Sequence, residues 1–216
     1  MGPMKKKSAK PPLTERRTAF ERRRYVAEMS PEEMRRELLT SEVAGLPNRR
    51  AFDEAGESPA VAISDVDGLK ALNQYGYEVG NAALRAKAEA LRQAGLEAYH
   101  DKGDEFLCRA SDRAQLAARL ELARARLRDR TIAVELPDGS TLQFIGLDFS
   151  YGIGRNIGEA ERKLRTQKAK REKTGQLARG ELVGIRVKVF GPKSLSSTGE
   201  RRPASAPKLP GGLPDN

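Results

Sequence analysis

Between Leu96 and Ala110 the chain reads LEAYH, DKGD, EFLCRA: two short strand candidates joined by a link containing Gly103. A link of that length with a glycine reads as a hairpin loop. The turn carries two adjacent carboxylates, Asp104 and Glu105. A second acidic pair, Asp65-Val66-Asp67, ends the apolar run PAVAIS (59–64), which suits a buried strand. If the two strands are sheet neighbours, the acidic clusters meet at one edge. Paired carboxylates there would hold a hard divalent cation against nucleotide phosphates. Either cluster alone describes a solvated strand end equally well.

The flanking segments supply a frame. Ser30, Pro31 and Glu33 have the spacing of an N-cap, first helical position and capping box, and predict a short helix to about Thr40. EVGNAALRAKAEALRQAG places Val79, Ala83, Leu84, Ala88 and Leu91 on one helical face before a stop at Gly95, and DRAQLAARLELARARLRDR does the same with Leu116, Leu120, Ala123 and Leu127. TIAVEL and TLQFIGLDF flank Pro137-Asp138-Gly139-Ser140, a second hairpin. EAERKLRTQKAKREK is a basic helix and LVGIRVKVF a final strand. This order predicts an α+β arrangement with helices against one sheet.

A length of 216 residues holds one domain with appendages. Lys and Arg total 40 against 30 Asp and Glu, giving +10. The excess is concentrated between Met1 and Arg24, where nine basic residues face only Glu15 and Glu21. Residues 1–29 therefore read as a basic, largely disordered arm, 30–190 as the folded domain and 191–216 as a disordered Pro/Gly/Ser-rich tail. The arm is either a solubilising extension or an attractor for nucleic acid, an anionic surface or an acidic partner. The single cysteine, Cys108, excludes an internal disulfide and a multi-cysteine zinc site, and its alternation with Phe106 predicts burial. His100, the one histidine, is too isolated for a triad or a zinc site. Without a run of about 18 apolar residues or a signal-peptide h-region, no membrane span is expected, and a cytoplasmic location is.

Five blocks, in order, resemble the GGDEF family of diguanylate cyclases: GLPNRRAF (45–52), SDVDGLKALNQYGYEVGNAAL (64–84), KGDEF (102–106), FSYGIG (149–154) and AERKLRTQK (160–168). The resemblance spans about residues 40 to 175. It implies a palm-like α+β nucleotidyl-cyclase fold with a central, mainly antiparallel five-stranded sheet flanked by helices. It also implies two domains meeting face to face, each holding one GTP, to make cyclic di-GMP. Carried over by position, Asp65, the Val66 carbonyl and Asp104 would hold Mg²⁺ or Mn²⁺. Glu105 would activate or orient the attacking hydroxyl, and Lys168 would contact phosphate. Asn73 and Asn81, with Leu69 at the family's Phe, would face the base, while Lys102 and Gly103 would border the triphosphate.

The departures bear on function. Lys102 replaces the first signature glycine. Asn81 stands where the family has Asp, which weakens the preference for guanine and admits ATP beside GTP. Glu172 stands where a phosphate-contacting Arg is expected, and Arg165 and Gln167 replace the usual Tyr and Ala. The feedback motif Arg-x-x-Asp is absent, its positions being Gln93, Ala94, Gly95 and Leu96. Two readings follow: a nucleotide cyclase of the diguanylate type working as a homodimer, or a catalytically weak GGDEF-like domain that regulates by binding nucleotide or a partner protein.

Overall fold

The computed structural model describes residues 29–178 and 180–191. Apart from their boundary residues, the expected basic arm and tail lie outside these. The first helix, α1 (Pro31–Leu39), has the expected capping box, with the Ser30 hydroxyl accepting from the Glu33 amide. A second, α2 (Arg49–Glu54), starts at Asn48, whose side chain accepts from the Ala51 amide. Asn48 was the one available signal for this helix, which is too short to show a period.

Strand β1 (Ala60–Val66) runs through the middle of the molecule. A short helix α3 (Leu69–Leu72) and a 3-10 turn (Asn73–Tyr75) lead into α4 (Tyr77–Gln93). The hairpin β2 (Glu97–His100) and β3 (Glu105–Ala110) precedes α5 (Arg113–Asp129). Then come β4 (Ile132–Glu135), β5 (Thr141–Ile145), β6 (Phe149–Gly154), α6 (Ile157–Lys173) and β7 (Arg186–Phe190).

The central sheet has the order β2-β3-β1-β6 and every neighbour is antiparallel. It holds four strands among the described residues, one fewer than expected. At the outer edge of β2 a fifth line of chain contributes only a parallel bridge, Asn48 to His100, with the His100 amide donating to the Pro47 carbonyl at 2.8 Å. Proline has no N–H with which to extend a ladder.

A second sheet, β4-β5-β7, corrects the expectation of a single one. TLQFIGLDF is not one strand. Gly146, at φ 91, ends β5, and a Cβ there would lie 2.3 Å from the Gly184 carbonyl oxygen. The chain crosses at that point from the second sheet to the first. LVGIRVKVF is strand only from Arg186, because Leu182 and Ile185 pack against the turn at Gly68.

Alternation along β1 separates two cores. Ala60, Ala62 and Val66 join Phe106, Cys108 and Phe149 in packing against α4 and α5, including Val79, Ala83, Leu91, Leu116 and Leu120. Val61 and Ile63 face the other way, with Leu107 and Tyr99, onto Phe52 of α2 and Ala160 and Leu164 of α6. Helices therefore cover both faces, and the end of β1 opens between α6 and the β2–β3 turn.

Candidate active site

The signature turn is held from inside and from behind. The Glu105 amide donates to the Lys102 carbonyl at 2.8 Å and the Asp101 amide to the Glu105 carbonyl at 3.0 Å. Gly103 adopts φ 54, a conformation glycine reaches without steric cost. Behind it, His100 is buried against the Phe106 ring, and its Nε2 lies 3.0 Å from the Gly103 carbonyl. A carbonyl only accepts, so Nε2 carries the proton and Nδ1 accepts from the Ser41 hydroxyl at 2.7 Å. Burial lowers the affinity of this ring for a second proton. The isolated histidine thus braces the turn, a structural role.

Pairing β1 beside β3 sets Asp65 opposite Glu105, so the two acidic clusters do meet. Burial, and then the charge of Asp65, push the Asp104 carboxyl above the ordinary carboxylate range. From the far side, α6 presents Lys168, whose Nζ lies 2.7 Å from the Asp65 carboxylate. The helix reaches that position because β6 carries Gly152. A Cβ at Gly152 would stand 2.1 Å from the Ala160 carbonyl oxygen and 2.3 Å from the Leu164 nitrogen.

These groups line a cavity of about 610 Å³ together with Val66, Asp67, Gly68, Leu69, Lys70, Arg165, Glu172 and the segment at Leu177 and Ala178. That is the size range of small-molecule sites. Of the residues singled out in the sequence, Asp65, Val66, Leu69, Asp104 and Lys168 come together on its wall. Asn73 and Asn81 lie to one side. The Asn73 amide oxygen rests against Gly80, where a Cβ would come within 1.8 Å of it, so Asn73 sits beside the turn of α4 that carries Asn81. Glu105 and Lys102 form an ion pair at 3.7 Å, and the lysine side chain is 77% exposed.

Asp67 departs from the sequence reading that grouped it with Asp65. It is buried, accepts from the Ser150 hydroxyl at 2.9 Å, and pairs with Arg171 at 2.6 Å. Arg171 also reaches Asp148 at 2.8 Å, and Asp148 accepts further from Arg124 at 3.0 Å and Arg128 at 2.7 Å. Burial alone would push the Asp148 carboxyl up, but these guanidinium groups hold it down at about 2. Asp67, with fewer partners, is raised by its burial. The network fastens α6 and α5 to the sheet, and Asp67 is a structural counter-charge within it.

No protein-family model and no curated protein matches the sequence. Among solved structures, the diguanylate cyclase SiaD of Pseudomonas aeruginosa, in complex with its activator SiaC, aligns with 70% of this chain and 70% of its own at 23% identity and a TM-score of 0.52. The coiled coil and GGDEF domain of DgcB from Caulobacter crescentus, in complex with c-di-GMP, aligns with 72% of this chain and 89% of its own at 23% identity and a TM-score of 0.50. The fold is that of a GGDEF domain.

In this GGDEF fold the donor set suits a hard divalent cation. Burial first and the neighbouring Asp65 carboxylate second push Asp104 toward its protonated form, and a cation between the two would relieve both. Magnesium commonly takes one or two carboxylates and completes its shell with water and substrate phosphate. Asp65 and Asp104, with the backbone at Val66, fit that role. The closing helix differs from the expected pattern in a specific way: Arg171 points into the buried network, while its neighbour Glu172 lines the cavity. No helix among the described residues is long and apolar enough to cross a membrane.

Proposed function

We propose that this chain binds a nucleoside triphosphate with Mg²⁺ or Mn²⁺ in the cavity between β1, the signature turn and α6, and acts as a nucleotide cyclase of the diguanylate type. GTP is the expected substrate, ATP a competitor, and cyclic di-GMP or a related cyclic dinucleotide the product. One observation supports this reading above the others: Asp65 and Asp104 share the wall of one cavity with Lys168, whose Nζ lies 2.7 Å from Asp65. When bound, the cation would draw charge from the triphosphate and lower the barrier to in-line displacement at the α-phosphate.

The chain's own residues then have separable tasks. Lys168 moves from Asp65 to a phosphate oxygen as the triphosphate enters, since both are anions within reach of one flexible side chain. Gly103 leaves space for a phosphate against the turn. Glu105 orients the attacking 3′-hydroxyl by accepting its hydrogen bond, once Lys102 releases it to a phosphate oxygen. Asn73 and Asn81 face the base.

A second reading, a catalytically weak domain that regulates by binding nucleotide or a partner, is favoured by Glu172. A carboxylate on the cavity wall opposes a triphosphate where an arginine would attract it. Incubation of the full chain with labelled GTP or ATP and Mg²⁺ or Mn²⁺, with products identified by mass, separates the two. Cyclic dinucleotide formed by the wild type and lost in Asp104→Asn is expected for the enzyme. Nucleotide binding without product would establish the regulator.

A further inference from the structure

Lys87 occupies a place where an apolar residue belongs. It lies on the buried stripe of α4 between Ala83 and Leu91 and has no exposed surface at all. Its ammonium has no hydrogen-bond partner. It stands over two aromatic rings, 4.4 Å from the centre of Phe106 and 5.0 Å from that of Phe149. Such faces attract a cation but do not replace its lost hydration. As a packing element alone, a methionine or leucine would serve better.

The location of the charge gives it a use. Phe106 pairs with Ser64 and Phe149 with Val66, so the two rings bracket the β1 residues on either side of Asp65. Phe106 also follows the signature turn, two residues after Asp104. The ammonium is thus held on the α4 side of the sheet at the level of Asp65, whose carboxylate meets Lys168 of α6 on the other side. Burial brings the Lys87 ammonium down to about 8, while Asp65, Asp67 and Asp104 act to hold its proton. Any attraction of those carboxylates for Lys87 is matched by repulsion between Lys87 and a cation placed among them.

We propose that Lys87 is a built-in counter-charge behind Asp65 and Asp104, a positioning residue that weakens the binding of a free divalent cation so that the cation enters together with a nucleotide triphosphate. The proposal rests on the reading of those two carboxylates as cation ligands. Two carboxylates partly neutralised by an internal lysine hold a bare dication poorly. The triphosphate adds negative charge of its own and restores the balance.

The test measures binding of Mn²⁺ without nucleotide, by titration of its paramagnetic signal, to the full-length wild type, Lys87→Met, Lys87→Leu and the double variant Lys87→Met/Asp104→Asn. Thermal melting of each accompanies it. Both single variants should melt no lower than the wild type and bind Mn²⁺ about tenfold more tightly, as the loss of one nearby positive charge requires. Their agreement in spite of different side-chain shapes would assign the effect to charge, and the double variant should lose the gain. Unchanged Mn²⁺ affinity in Lys87→Met and Lys87→Leu, with binding still abolished in the double variant, would overturn the role of Lys87 and leave the cation site standing. Absence of Mn²⁺ binding from every variant, and of any Asp104 dependence when GTP is added, would overturn the cation site itself and the proposal with it.

Discussion

Asn81 and Lys87 each depart from what their surroundings lead one to expect, and each carries a testable consequence. An aspartate at position 81 would accept from guanine N1 and N2 together, whereas the asparagine amide presents one acceptor and one donor. Loss of a charge-assisted hydrogen bond is worth roughly 1–3 kcal/mol. Asn81→Asp should therefore raise the preference for GTP over ATP by about five- to a hundredfold, measured as competition for the site by the two nucleotides. An unchanged ratio would remove Asn81 from base recognition. For Lys87 the consequence is a pH dependence of stability. Its folded-state pKa of about 8 lies below the ordinary 10.5, so between these values the unfolded chain binds the proton and the folded one does not. Stability from this group rises with pH through that window, by an amount on the order of 3 kcal/mol. Buried Cys108, raised to about 12, acts in the opposite sense over part of the same range but is common to both proteins. Lys87→Met should thus exceed the wild type in stability at pH 7, with the gap narrowing toward pH 10. Parallel curves in denaturant titrations across that range would show that Lys87 is not held charged in the core.

Among the elements, α6 decides whether the site is assembled, because it brings Lys168 to Asp65 and is fastened to the sheet in two ways. One is close approach at Gly152, where the helix backbone occupies the space of a side chain. Gly152→Ala should force α6 outward, cost about 3 kcal/mol or more through overpacking, and reduce Mg²⁺-GTP binding in the fraction that remains folded. A folded Gly152→Ala protein with full nucleotide affinity would show that the position of α6 is not critical. The other fastening is the buried charge network. Asp148, held at about 2, contributes stability that is complete above the ordinary carboxylate pKa near 4 and disappears as pH falls toward 2. Asp67 and Asp104 are raised instead, so the folded chain takes up their protons before the unfolded chain does; falling pH favours folding through these two groups, and they do not cause the acid loss. The wild type should therefore unfold steeply below pH 4, and Asp148→Asn should be less stable at pH 7 but show a shallower acid limb in circular dichroism. Identical acid limbs would assign the acid sensitivity to other carboxylates. The network was not legible in the sequence: Asp65 and Asp67 look alike there, and what separates them is an arginine 104 positions from Asp67.

At the scale of the whole molecule, local periodicity carried much of the fold. The signature hairpin, α4, α5 and the capping box of α1 stand where the glycine-containing link, the helical spacing of apolar residues and Ser30-Pro31 placed them. The division into two sheets was hidden because Gly146 resembles an ordinary glycine within a strand pattern, and its role depends on Gly184, far along the chain. Lys87 was hidden for a different reason, since a lysine in an alanine-rich helix is ordinarily solvated. The position at i+4 from Ala83 and i−4 from Leu91 was nevertheless visible. What the fold presents, among the described residues, is a cavity with Asp65, Asp104 and Lys168 together on its wall. Formation of a cyclic dinucleotide requires two nucleotides, each supplying a 3′-hydroxyl to the other's α-phosphate. The carboxylate-lined cavity of about 610 Å³ takes one nucleotide with its cation under the proposed activity, so the second nucleotide must arrive on another copy of the chain. A reaction between two such half-sites is symmetric, and its rate follows the concentration of the encounter complex. Product formed per chain should therefore rise with protein concentration until the dimer saturates. Asp104→Asn protein added to a fixed amount of wild type should suppress product by capturing wild-type chains in half-competent pairs. Product per chain that stays constant from nanomolar to micromolar protein, with no suppression by Asp104→Asn, would place both nucleotides on one chain and exclude the face-to-face arrangement.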